Sequence, residues 1–293
     1  RERGLAIAAK RSDRTTSNGC VLVKNVNGFA AMIALKCETD FVANGADYVA
    51  LTQEILDAAI AAKAHTLDEV KELKISEGLT VAEAVTRRSG VVGEKMELDG
   101  YNVLEGDNIS VYDHMRRHTL ATMVKLSAPN EEAGYKVAMQ VAAMKPVALD
   151  EASVPQSVKD EELRIAIEKT KEEQIERQVN VALKKAGINA NLVDSDDHIA
   201  SNVAKGWLSQ EDADKAVAIR KEVSATAAAN LKEQMIQNIA KGRMAKFFKE
   251  NCLVDQEIQF GDECAKESVK EWLNKQEKGL TIVDFKRFSL SAD

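Results

Sequence analysis

The sequence predicts an α+β protein: two similar subdomains, each a small antiparallel sheet with packed helices, plus an inserted antiparallel helical coiled-coil arm. Three observations carry this reading. Asn27-Gly28 sits between two apolar runs, and both turn positions tolerate positive φ, so residues 19–37 read as a hairpin. An order of strand, short polar link and helix runs on from Ala31 and recurs from Ala121, a weak internal repeat. Between about 157 and 250 the chain becomes charged and helical, as in "KDEELRIAIEKTKEEQIERQ", which has neither Gly nor Pro. The expected boundaries are 1–18 for the tail of an N-terminal helical module or linker and 19–108 for the first subdomain. The second combines 109–156 with 251–293, and the arm occupies 157–250.

The elements follow in order. Strands at 21–26 and 29–35 flank the turn, and a helix over roughly 45–63 carries Val49, Ile55, Leu56, Ala59 and Ile60 at helical spacing. Shorter helices are expected near 66–74 and 80–88. A strand pair at 95–103 and 108–114 is joined through Glu105-Gly106-Asp107-Asn108. A strand at 119–126, a polar turn at Ser127 to Glu131 and an Ala/Met-rich helix over 132–144 repeat the earlier order. In the arm, Val223, Ala227, Leu231, Met235 and Ile239 form a four-residue ladder on a returning helix. Gly187, the run Asp194-Ser195-Asp196-Asp197 and Gly206 break the tip. A strand over 256–260, a helix over 265–277 and an alternating strand over 281–290 complete the second sheet.

Composition narrows the function. Hydrophobic residues make up 45% of 293 and aromatics only 4%, so the core is built mostly from Ala, Val, Leu and Ile; 3 prolines permit long helices. A net charge of −7 argues against nucleic acid as the main partner, because phosphate binding draws on clustered Lys and Arg. Cys20, Cys37, Cys252 and Cys264 form no C-x-x-C pair and read as reduced, buried thiols of a cytoplasmic protein. No apolar run is long enough for a membrane span, and no signal peptide opens the chain. Arg1 to Lys10 read as the tail of a helix that began earlier, so the natural protein is expected to be longer at this end.

Chemistry-bearing motifs are missing. Neither G-x-x-x-x-G-K-[ST] nor G-x-G-x-x-G occurs, so no direct nucleotide binding is expected. His114 and His118 lie four apart across a strand junction with Arg116-Arg117 between them, which fits surface histidines better than metal ligands. No nucleophile motif is present, so the expectations are no cofactor, no metal and no enzyme. Asp40-Phe41 stands out at a strand-to-helix junction. Local grammar alone favours Phe41 folding back as core and Asp40 capping the helix.

"KCETDFVA" at 36–43 resembles the T-D-F-V signature of the elongation factor Ts family. "RERGLAIAAKRSDRTTSNG" at 1–19 resembles that family's linker, and Val92-Gly93-Glu94 its G-E before the next strand. "VAMQVAAMKP" at 137–146, "IAKGRMAKFFKENCLVDQEI" at 239–258 and "VDFKRFSL" at 283–290 are similar to its later blocks, in the same order. Only about 186–225 lies outside the resemblance.

The resemblance implies a guanine-nucleotide exchange factor that binds elongation factor Tu, in GDP-bound and nucleotide-free forms, and acts in translation elongation. Thr39, Asp40, Phe41 and the following Val42 would enter the partner's nucleotide domain and disturb its magnesium and phosphate site. Further contacts are implied for His118 and Thr119 and for the helix around Met139 and Gln140. Three departures stand out: Gln140 replaces the family's usual His, His118-Thr119 replaces a small Ile-Gly pair, and 186–225 extends the arm. The N-terminal module and any C-terminal tail read as absent from this chain. The alternative is a coiled-coil scaffold or dimerisation protein whose body only resembles that family; the residues leave a homodimer open.

Overall fold

The computed structural model describes residues 10–261 and 266–291. Cys264 and the expected helix tail before Lys10 lie outside the described residues. The chain divides into two compact units, one formed by residues up to Ser153 with those from Lys249 onward, the other by Val154–Phe248.

The first unit holds two three-stranded antiparallel sheets. In one, β1 (Asn18–Val26), β2 (Phe29–Cys37) and β3 (Glu97–Glu105) lie in that order; in the other, β4 (Ile109–Asp113), β5 (Leu120–Leu126) and β6 (Ile282–Ser289) do. Asn27 at φ 50° and Gly28 at φ 86° close the first hairpin, with Val26 opposite Phe29. A Cβ on Gly28 would lie 2.8 Å from the Gly106 carbonyl oxygen, so the position also demands glycine sterically.

Side chains alternate across each strand, and here both faces are covered. Cys20, Leu22, Phe29, Ala31, Ile33 and Leu35 pack with helices α2 (Ala46–Ala61), α3 (Leu67–Glu72) and α4 (Val81–Val92). The alternate residues Val21, Ala30, Met32, Ala34 and Leu104 meet Ala121 and Met123 of the second sheet. Beyond that sheet, Val124 and Leu126 pack with α5 (Glu131–Met144) and α10 (Val269–Gln276), including the buried Trp272. Burial on both sides is why β2 reads FAAMIALKC, almost uninterrupted apolar sequence. The middle strand of each sheet runs through a polar link into a packed helix, as the repeat predicts.

Three expectations need correction. The segments at 95–103 and 108–114 do not pair with each other: β3 runs back along β2 with Glu105 opposite Phe29, and β4 pairs with β5. A β3–β4 hairpin would leave the apolar edge of β2 unpaired, which is the costlier arrangement. Residues 256–260 are not a strand. They form an irregular segment with one bridge, Glu257 to Ser268, because the Gln140 side chain takes the Glu257 carbonyl (3.1 Å) and the Gln259 N–H (2.8 Å), backbone groups that a strand would pair. Buried Gln256 donates its amide to the carbonyls of Met144 (3.2 Å) and Glu250 (2.9 Å).

The third correction lies in the helical unit, which holds α6 (Gln156–Lys185), α7 (Asp196–Ala204), α8 (Gln210–Ala229) and α9 (Glu233–Asn251). The return is two helices rather than one. The break at 230–232 shifts the phase, so that Ile236 and Ala240 are buried in α9 while Met235 is exposed. The region 186–225 packs on the end of α6 around a core of Val179, Leu183, Ile188, Val193, Leu208, Ala213 and Ala216. Arg220 fastens it, donating to the Glu176 carboxylate at 2.8 Å and the Val193 carbonyl at 3.1 Å. Gly206, at φ 74°, ends α7 and leaves the following Trp207 65% exposed.

Candidate functional site

Cys37 ends β2 as the last buried residue of the strand, and the chain leaves the sheet at Glu38. Thr39, in extended conformation, caps α1 (Asp40–Ala43): its hydroxyl oxygen accepts the Val42 N–H at 3.4 Å. Ala43 is buried and Val42 packs on the core, so this single turn has an inner face at positions 42 and 43. Successive helical residues are about 100° apart, which turns Phe41 outward. Phe41 is 86% exposed, the most exposed large hydrophobic side chain among the described residues. The locally favoured reading is therefore overturned on both counts: Phe41 is not core, and the cap is Thr39 rather than Asp40. Among the described residues, the exposed Asp40 carboxylate has no hydrogen-bond or ion-pair partner.

The link that carries Phe41 is tied to the loop after α4. Gly93, at φ 80°, ends that helix and turns the chain so that Glu94 faces residues 38 and 39. One Glu94 oxygen accepts the backbone N–H of Glu38 (2.9 Å) and of Thr39 (3.0 Å), and the other accepts the Thr39 hydroxyl (2.5 Å). In return, Glu38 accepts the Lys95 N–H at 2.7 Å and pairs with Arg14 at 3.3 Å. The Lys95 N–H, assisted by Arg14, holds the Glu38 carboxyl below its ordinary range. The sequence marked Gly93-Glu94 as a family match but gave no sign of this bond pattern, which links residues far apart in the chain.

The second subdomain places its predicted residues differently. His118, at φ 57°, is half-buried; its N–H donates to Asp113 Oδ1 at 3.0 Å and its ring pairs with the same carboxylate. Its carbonyl accepts the Val21 N–H at 2.7 Å, tying the hairpin to β1. Thr119 is exposed and Met139 half-buried, so both retain accessible surface. Gln140 is fully buried, its side chain turned into its own chain. Its amide donates to the Glu257 carbonyl (3.1 Å) and the Gln256 side chain (3.3 Å), and its oxygen accepts the Gln259 N–H at 2.8 Å. It braces the irregular segment after α9. Of the eight predicted site residues, Thr39, Asp40 and Phe41 form one surface feature with Val42 on its inner side, His118 and Thr119 are adjacent before β5, and Met139 and Gln140 belong to α5.

Among the described residues no group of three or more His, Cys, Asp or Glu side chains could hold a metal ion, and no helix is long and apolar enough to cross a membrane. His114 hydrogen-bonds Tyr112 at 3.2 Å.

Comparison with known proteins agrees with the order of motifs. A family profile described as "Elongation factor TS" matches residues 38–194 and 176–292. Proteins named elongation factor Ts from Phocaeicola vulgatus and Bacteroides fragilis are each 57% identical over 294 aligned residues, covering 100% of this chain and 88% of theirs. The protein of that name from Porphyromonas gingivalis is 36% identical, covering 100% of this chain and 85% of its own. With Phe41 exposed on a capped, braced turn and the whole chain aligned with relatives of that name, the chain belongs to the elongation factor Ts family of translation elongation factors.

Proposed function

We propose that this chain is a guanine-nucleotide exchange factor that binds elongation factor Tu in the cytoplasm and promotes GDP release without performing chemistry itself. The observation that carries the reading is Phe41, a large apolar side chain held in solvent on a short capped turn. Asp40 beside it is exposed and unpaired among the described residues, so the pair can enter a partner without first breaking internal bonds.

Physics limits what the turn supplies. Exchange requires tighter binding to the nucleotide-free partner than to the GDP form, and the coupling is reciprocal. Weakening GDP a thousandfold takes about 4 kcal/mol. Burying Phe41 supplies only about 1.5–3 kcal/mol. His118, Thr119 and Met139 retain accessible surface, which supports a further contribution from them to the contact. Gln140 contributes from behind, by fixing the segment that follows α9.

The test is direct. Substoichiometric chain added to elongation factor Tu loaded with a fluorescent GDP analogue, in excess unlabelled GDP, is expected to accelerate loss of the signal through many turnovers. An unchanged release rate overturns the proposal and returns the scaffold reading.

A further inference from the structure

We infer that Glu94 is the positioning residue for Phe41: Val42 and Ala43 seat the inner face of the turn, and the Glu94 carboxylate holds the link before it, fixing the direction in which the aromatic ring projects. The inference deepens the exchange reading and rests on it. A four-residue helix cannot fix its own orientation, because one turn closes too few hydrogen bonds to offset the dihedrals it freezes. The Thr39 cap adds one long bond, 3.4 Å, to Val42. Three shorter bonds reach the turn from Glu94, two of them from consecutive backbone N–H groups and one from the hydroxyl that makes the cap.

Glu94 is itself held. Gly93 enters it in the left-handed conformation, and the Ser89 hydroxyl donates to its carbonyl at 2.5 Å. Lys95 returns a backbone bond to Glu38, so each loop accepts from the other. Lys95 also reaches the carbonyls of Ser12 (2.8 Å) and Arg14 (3.2 Å), and Arg11 reaches that of Ser89 (3.2 Å). The clamp is thus anchored on the first sheet's edge and on the segment leading into β1. Glu94 acts only through Thr39 and its neighbours; no contact with Phe41 is needed.

The experiment uses the full chain with Glu94→Ala, Glu94→Gln and Phe41→Ala, and GDP-loaded elongation factor Tu. Glu94→Gln can keep one carbonyl on the two backbone N–H groups, whereas Glu94→Ala removes every acceptor. Glu94→Ala is expected to lower the maximal release rate about tenfold or more, the scale of a lost charge-assisted hydrogen bond, with a smaller change in half-saturation. Glu94→Gln is expected to restore most of that rate. A fluorine label at position 41, introduced as 4-fluorophenylalanine, supplies a readout without the partner: its ¹⁹F line is expected to sharpen toward the free-peptide value in Glu94→Ala and to stay broad in Glu94→Gln. Parent-like release and an unchanged ¹⁹F line in Glu94→Ala overturn the inference. Should Glu94→Ala fail to fold, Glu94→Asp, which withdraws the carboxylate by one methylene, must show the same sharpening or the inference is lost. If Phe41→Ala itself releases GDP at the parent rate, the exchange reading fails instead, while the ¹⁹F comparison still decides the clamp.

Discussion

Phe41→Ala separates binding from folding more cleanly than any other change in this chain. At 86% exposure the ring contributes little to the first unit's core, so unfolding is expected to move by no more than about 0.5 kcal/mol, the range of ordinary surface substitutions. Buried in a partner pocket, the same ring is worth about 1.5–3 kcal/mol, which corresponds to roughly a ten- to hundredfold loss. The assay is stopped-flow release of a fluorescent GDP analogue at several chain concentrations, with thermal melting of the variant in parallel. The expected pattern is a large fall in release rate with an unshifted melt. A parent-like rate refutes the insertion argument. A melt lowered by several degrees refutes the structural half, because it would mean that Phe41 packs on the body.

Other substitutions test the packing. Gln140→Leu removes the partners of the Gln259 N–H and of the buried Gln256 side-chain oxygen and is expected to destabilise the first unit by about 1–3 kcal/mol, read by thermal or denaturant unfolding. In α9, Ile236→Ala is expected to cost about 2–4 kcal/mol while Met235→Ala stays near neutral; equal effects would contradict the phase shift at 230–232. Glu38 has a depressed carboxyl pKa, so its contribution is complete above the ordinary glutamate value of about 4.3 and is lost as pH falls through its lower native value. A ¹³C carboxyl titration should show that lowered midpoint, and Glu38→Gln should flatten acid unfolding over the same range.

Much of this architecture was legible because local signals and burial agree. Asn27-Gly28 demanded a tight turn, the β2 run demanded cover on both faces, and the strand-link-helix recurrence matched two sheets of like order. Where the reading failed, packing or bonding that the local pattern does not show decided the outcome. Residues 256–260 look like a strand until Gln140, far away in the chain, is seen taking the Glu257 carbonyl and the Gln259 N–H. Phe41 looks like core until Val42 and Ala43 take the inner face of the turn. The β3 segment could pair with either neighbour by sequence alone, and the need to cover β2 chose. Gln140 carried no local sign that its side chain is turned inward, because the groups it bonds lie more than a hundred residues away.

The two tryptophans give the molecule a built-in pair of optical probes. Trp272 is buried against Gly261 in the first unit, and Trp207 stands in water in the helical unit with the Lys205 ammonium 4.8 Å from its ring. Their emission should therefore differ in wavelength, and acrylamide should quench the redder component first. As denaturant rises, a red shift tracks the melting of the first unit through Trp272, while loss of the Lys205 contact reports on the other. A single unlabelled sample can thus show whether the two units unfold in one step or in two.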